Sequence, residues 1–246
     1  MITGYSLFKH AVTRVFRNLD DALAISGLIW IGVMGILVLI SVAVPTPPVT
    51  NQNWADLTGR ELMAFLMSNL TVMIAGVWVA VEWHRFVLLG ERPKTVLPVP
   101  RLDLIAGYMG RSIQIFAILF LVMFVAATLI ALLARVSVVF AMLYFPVFIM
   151  LLQIFYRISP VLPAVAVSKP ASLRSVWQAT DAYKKPILGA AILLALGTMA
   201  LNLPSFLLGQ GVIALVYSLV TGWIALMVGV SLLSAIYEIS VPEDDV

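Results

Sequence analysis

Side chains able to do acid–base, nucleophilic or metal chemistry are few in this chain and widely scattered. There are two histidines, His10 and His84, and no cysteine. Lack of cysteine excludes disulfides, thiolate metal sites and cysteine nucleophiles. Glu82-Trp83-His84 does not have the spacing of a helical two-histidine zinc motif, and no further ligands cluster beside it. No glycine-rich phosphate loop is present, and serine, histidine and acid residues fall into no arrangement that marks a nucleophile. The expectation is therefore a non-enzymatic protein with no metal and no cofactor.

What the chain does offer is positive charge beside aromatic rings. The interval from Arg157 to Pro186, RISPVLPAVAVSKPASLRSVWQATDAYKKP, separates two very apolar runs and carries Arg157, Lys169, Arg174, Lys184 and Lys185. A basic residue close to an anionic leaflet contributes about 1 kcal/mol of attraction. Those five residues, with Arg85 and Trp177, are candidates for binding anionic lipid headgroups or a membrane partner. A weaker set is uncharged: Asn69, Gln114, Gln153 and Asn202 interrupt apolar runs. Such residues hydrogen-bond between helices at roughly 0.6 kcal/mol each, or line a cavity for an apolar or amphiphilic solute. No basic run is dense enough to argue for nucleic acid.

The elements that must position these residues are set by hydropathy. Of 246 residues, 62% are hydrophobic and 11% charged, with a mean hydropathy of +1.07. Soluble domains average about 25% charged, and here the charges are bunched between long uncharged runs. About 20 apolar residues cross the hydrocarbon of a bilayer. Runs of that kind predict six spans, at about 22–44, 61–81, 112–133, 138–155, 186–208 and 212–236. The first is far longer than the roughly 7–15 residues of a signal peptide's apolar region, so a cleaved leader is not expected. A loop is expected over Pro45–Gly59, a turn at Gly209-Gln210-Gly211, and an acidic tail in VPEDDV.

Three segments predict amphipathic helices lying in the membrane interface, at 5–19, 96–111 and 171–184. In the first, Leu7, Phe8, Ala11, Val12, Val15, Phe16 and Leu19 share one face, opposite Lys9, His10, Arg14, Arg17 and Asn18. A basic face opposite an apolar one is the pattern of such a helix. The second, with Leu102, Ile105 and Met109 on one face, is poorer, and Gly107 and Gly110 weaken it. In the third, Ser172 can cap a helix running to Tyr183, with Leu173, Val176, Trp177, Thr180 and Tyr183 on one face. Asp181 stands four residues before Lys185, a favourable order for a helical ion pair. Pro160 and Pro163 interrupt the apolar segment before it, so Val161 to Val167 is expected along the interface or under the bundle.

The fold expected is an all-α integral membrane protein of one domain, residues 1–246, built as three hairpins. Each hairpin follows an amphipathic segment. The exits Trp83-His84-Arg85, Tyr156-Arg157-Ile158 and Tyr237-Glu238-Ile239 repeat an aromatic, a polar group and an aliphatic, which suggests a parallel threefold pseudo-repeat. Lys9, Arg14, Arg17, Arg85, Arg92, Lys94, Arg101, Arg111, Arg157, Lys169, Arg174, Lys184 and Lys185 fall on one side, and only Arg60 and Arg135 on the other. Basic loops stay cytoplasmic, so both termini are expected inside.

Pro160 to Pro163, Lys169, and then Ser172, Leu173, Arg174, Trp177 and Thr180 ahead of a fifth span also carry a resemblance. The stretch resembles the YciC-like bacterial inner-membrane proteins and the membrane domain of some bacterial glycerophosphodiester phosphodiesterases. The resemblance implies a bacterial inner-membrane location. It transfers no catalytic residue, because this sequence contains no phosphodiesterase barrel. The functions expected are engagement of anionic lipid or a membrane partner by the basic cytosolic face, an accessory place in a membrane complex or homo-oligomer, or passage of an apolar or amphiphilic solute.

Overall fold

The computed structural model describes residues 2–44, 57–93, 95, 97–208 and 212–241. Among them every regular element is helical. In chain order these are α1 (Gly4–Arg17), α2 (Leu19–Ala43), α3 (Gly59–Leu89), α4 (Leu102–Ala134), α5 (Tyr144–Ile158), α6 (Val161–Ala166), α7 (Leu173–Ala179), α8 (Lys184–Asn202), α9 (Ser205–Leu208) and α10 (Val212–Ser240). Short 3-10 stretches at Val138–Leu143 and Asp181–Tyr183 lead into α5 and α8. Most of the loop expected at Pro45–Gly59, the turn at Gly209-Gln210-Gly211, the acidic tail from Pro242, and Lys94 lie outside the described residues.

Six helical segments are long and apolar enough to cross a membrane, in agreement with the six expected runs. Their outer surfaces fit that solvent. Phe116, Phe120 and Phe124 stack along α4 while 59–67% exposed, and Phe206 and Leu207 are more than four-fifths exposed. A soluble monomer rarely shows a continuous apolar patch beyond a few hundred Å². α10 is the centre of the bundle, packing on α1, α3, α6 and α8, with Met227, Leu232 and Ile236 fully buried. Around it, α2 packs on α3, α5 packs on α4 and α8, and α4 and α5 form the least buried flank.

Two helices outrun the hydrocarbon. At 1.5 Å per residue, α3 is about 46 Å long and α4 about 50 Å, against roughly 30 Å of apolar core. The surplus of α3 carries Glu82, His84 and Arg85 towards one end of the bundle. Thr58 caps its start in a reciprocal capping box with Glu61. Its end is closed by Gly90 at φ 70°, a left-handed conformation in which a Cβ is strained. The surplus of α4 corrects the expectation for 96–111. No separate interfacial helix forms there; the helix starts at Leu102 and runs through Gly107 and Gly110 into the span. Continuing the helix keeps every backbone bond inside the segment, which outweighs the roughly 1 kcal/mol penalty of each glycine.

The third amphipathic segment is also shorter than expected. Ser172 and Ser175 form a capping box, but α7 stops at Ala179. The Thr180 hydroxyl turns back to Val176 O at 2.9 Å and the chain tightens into the 3-10 turn. α1, by contrast, forms over nearly its whole expected length, capped by Thr3 and Ser6. It buries Leu7, Ala11 and Val15 on α8 and α10. At its start Gly4 meets Gly189 of α8 so closely that a Cβ on Gly4 would stand 2.7 Å from the Gly189 backbone.

Candidate functional site

Charge gathers at one end of the bundle, where eight helices contribute to the contacts. Five sets of contacts tie that end together. Arg92, after α3, reaches Asp21 at the start of α2, at 3.2 Å. Arg14 of α1 donates to Glu238 near the end of α10, at 2.7 Å. Arg85 grips both oxygens of the Glu91 carboxylate and also donates to Ala166 O of α6, at 2.8 Å. Arg101, at the start of α4, donates to Glu91 at 2.8 Å and stands 3.6 Å from Glu82. Arg157, at the end of α5, donates to Asp181 at 3.0 Å and to Trp177 O at 2.8 Å. The Arg85 guanidinium bonded to Glu91, with Arg101 beside it, holds the Glu91 carboxyl below its usual range. At the opposite end Arg60 donates to Ala43 O at 2.9 Å, joining α2 and α3.

This arrangement divides the candidate cations into two groups. Arg85 and Arg157 are spent inside the protein. The Arg157 side chain is 6% exposed and lies 3.6 Å over the Trp177 ring. A guanidinium so enclosed by a carboxylate, a carbonyl and an indole has no open face for a headgroup. Within the protein, Arg157 clamps α5 to α7, and Arg85 clamps α3 to α6. The ion pair expected of Asp181 is corrected. Asp181 pairs with Arg157 and with Lys184 at 3.4 Å rather than with Lys185, because the helix expected to join residues 181 and 185 is broken by the 3-10 turn.

The remaining cations are free. Lys169, Arg174 and Lys185 are exposed and make no ion pair among the described residues, and Lys184 shares only the exposed Asp181. Trp177, in the same stretch of sequence, is 39% exposed. Lys9 and Arg17 on α1 are likewise exposed and unpaired among the described residues. Lys184 and Lys185 border a cleft of about 670 Å³ with Thr3 and Gly4.

The uncharged candidates are not brought together. Asn69 donates to Phe65 O and Asn202 to Thr198 O, each at 2.8 Å and each within its own helix. Gln114 accepts from Arg111 on the next turn, and Gln153 is half-buried on α5. None of the four lines that cleft.

A polar node that sequence reasoning passed over lies deeper. His84 is fully buried, with Nδ1 2.8 Å from Ser234 Oγ and Nε2 3.3 Å from Tyr108 OH. Each ring nitrogen of His84 thus meets one hydroxyl, that of Ser234 on one side and that of Tyr108 on the other. The node joins α3, α4 and α10. Its available signal was the placement of His84 among Val77, Ala80 and Val81 on a face that had to be buried. Among the described residues no three histidine or acidic side chains come together to hold a metal ion.

Compared with known families, curated proteins and solved structures, the chain matches none.

Proposed function

We propose that this is a non-enzymatic, multi-pass protein of a bacterial inner membrane, and that its charged end lies in the cytosol and engages anionic lipid headgroups. The observation that carries the reading is the sorting of the cations. Arg14, Arg85, Arg101 and Arg157 are matched to carboxylates or carbonyls, while Lys169, Arg174 and Lys185, in the stretch that also holds the part-exposed Trp177, are exposed and make no ion pair among the described residues. Indole rings favour the headgroup level, and long basic side chains reach from there to phosphate.

Several features support the placement. Thirteen of the fifteen basic residues fall on one side of the six spans, which favours a cytosolic position for that side and for both termini. The resemblance of the Pro160–Thr180 stretch points to the inner membrane of bacteria. The packing of α2 on α3, α4 on α5 and α8 on α10 favours three hairpins, and α1 and α7 are the two that keep an amphipathic helix at their entry.

The reading is tested by native mass spectrometry of the gently extracted protein. Replacing Lys169, Arg174 and Lys185 together by glutamine should strip most copurified anionic lipid and leave the fold intact. A partner protein retained in stoichiometric amount, with no lipid change in the variant, would replace this reading with that of an accessory subunit.

A further inference from the structure

The helix α1 is tied to the end of α10 through Arg14. Arg14 Nη2 donates to Glu238 Oε2 at 2.7 Å and also to His10 Nε2, one turn back on α1. The Arg14 side chain is 15% exposed, and its other terminal nitrogen, Nη1, is buried without a partner. The tie therefore depends on the two acceptors that meet one nitrogen. A guanidinium can only donate, so His10 Nε2 must accept, and the imidazole is neutral with its proton on Nδ1. A second proton, on Nε2, would cancel that bond. It would also set a new positive charge beside Arg14, with both cations over one carboxylate, since Nε2 lies 4.0 Å from Glu238 Oε2.

The other charges near α1 stand at its two ends. On α8, Lys184 and Lys185 border the cleft beside Thr3 and Gly4. On α2, Asp20 and Asp21 lie in the first turn, and Asp21 pairs with Arg92. Lys9 and Arg17 are exposed on α1 itself. The charges that act on His10 are Arg14 and Glu238. Burial first, and then Arg14, hold its pKa below the ordinary 6.5 against the pull of Glu238. The neutral ring thus supports docking fully above about pH 6.5, and that support is lost as pH falls through the lower value of the docked helix. What the tie holds down is an amphipathic face, Leu7, Ala11 and Val15, buried on α8 and α10. A basic helix freed with such a face lies readily on a membrane interface.

We propose that α1 is a pH-sensitive arm, in which protonation of His10 breaks the Arg14 tie and loosens the helix from its seat on α8 and α10. One hydrogen bond of a charged group, discounted for a part-exposed site, should raise the open population about threefold to tenfold. The arm does not rest on Lys169, Arg174 and Lys185 binding lipid.

The full-length chain has no cysteine, so Val15→Cys introduces a single thiol at a position fully buried under α1. Its labelling by a water-soluble maleimide is followed from about pH 7.5 to about pH 5.5, across the ordinary histidine range. Dividing by the rate of Lys9→Cys, an exposed position on the same helix, cancels the pH dependence of the reagent. The ratio should rise about threefold to tenfold in acid. His10→Gln still accepts from Arg14 and takes no proton, so its ratio should stay at the neutral value. His10→Lys, charged throughout, should show the acid value at both ends. Both replace a half-exposed side chain, and either one suffices if the other folds poorly. Met227→Cys, in the centre of α10, reports opening of the whole bundle and should not respond. No rise with Val15→Cys, a rise that persists in His10→Gln, or an equal rise with Met227→Cys would overturn the assignment.

Discussion

Arg157→Met separates a structural cation from a lipid-binding one. Methionine keeps much of the length of the side chain and removes the guanidinium. The substitution forfeits the bond to Trp177 O at 2.8 Å, and hydrogen bonds of charged groups contribute about 1.5–3 kcal/mol. It also forfeits the stacking over the Trp177 ring at 3.6 Å, worth about 0.5–1 kcal/mol at a partly exposed site. The ion pair adds little, because the Asp181 side chain is 59% exposed and keeps Lys184 as a partner. Thr180 retains its bond to Val176 O. The expected destabilisation is about 2–4 kcal/mol, read by a denaturing-detergent titration in mixed micelles. Trp177 emission should shift to the red as α7 detaches from α5, while bound anionic lipid per folded protein stays at the wild-type level. If Arg157→Met keeps full stability and loses anionic lipid, the guanidinium belongs to the lipid surface and the division of the cations is wrong.

Three further outcomes follow from the same geometry. Gly4→Ala drives a Cβ into the Gly189 backbone and should cost about 1–3 kcal/mol, as overpacking does, whereas Gly110→Ala, with open space around it, should be neutral or stabilising by up to about 1 kcal/mol; the same titration compares them, and equal behaviour would contradict the docking of α1 on α8. Ser168 holds φ 61° in the turn between α6 and α7, so Ser168→Gly should stabilise by about 0.5–1 kcal/mol, and a loss of stability on thermal unfolding would count against that turn. The Glu91 carboxyl, held low by Arg85, contributes stability that is complete above the ordinary carboxylate pKa of about 4.3 and is lost as pH falls through its lower folded value; melts recorded from neutral to acidic pH should show an acid limb that Glu91→Gln flattens.

The spans were legible because hydropathy is a local sum: twenty apolar residues in a row have one solvent they can face, whatever the rest of the chain does. The α1 helix was legible for a similar reason, since Leu7, Ala11 and Val15 recur on one face within fourteen residues. What escaped the sequence depends on distant residues. α4 begins ten residues before the expected span because an uninterrupted helix satisfies its own backbone, and neither glycine outweighs that. Asp181 chose Arg157, 24 residues away in sequence, over Lys185 on the next turn, because α5 and α7 pack together. The difference between a matched arginine and a free lysine is likewise invisible in a linear count, where Arg157 and Lys185 weigh the same. His84 read as a lone polar residue near a span end, and only the packing of α4 and α10 supplies Tyr108 and Ser234.

The most direct test of the account is the anionic lipid retained by two variants under one extraction. The first replaces Lys169, Arg174 and Lys185 by glutamine, and the second is Arg157→Met, each weighed by native mass spectrometry against the wild type. The account predicts that the triple variant loses its anionic lipid with its stability unchanged, and that Arg157→Met loses stability while its folded fraction keeps the lipid. Full lipid occupancy in the triple variant would contradict it.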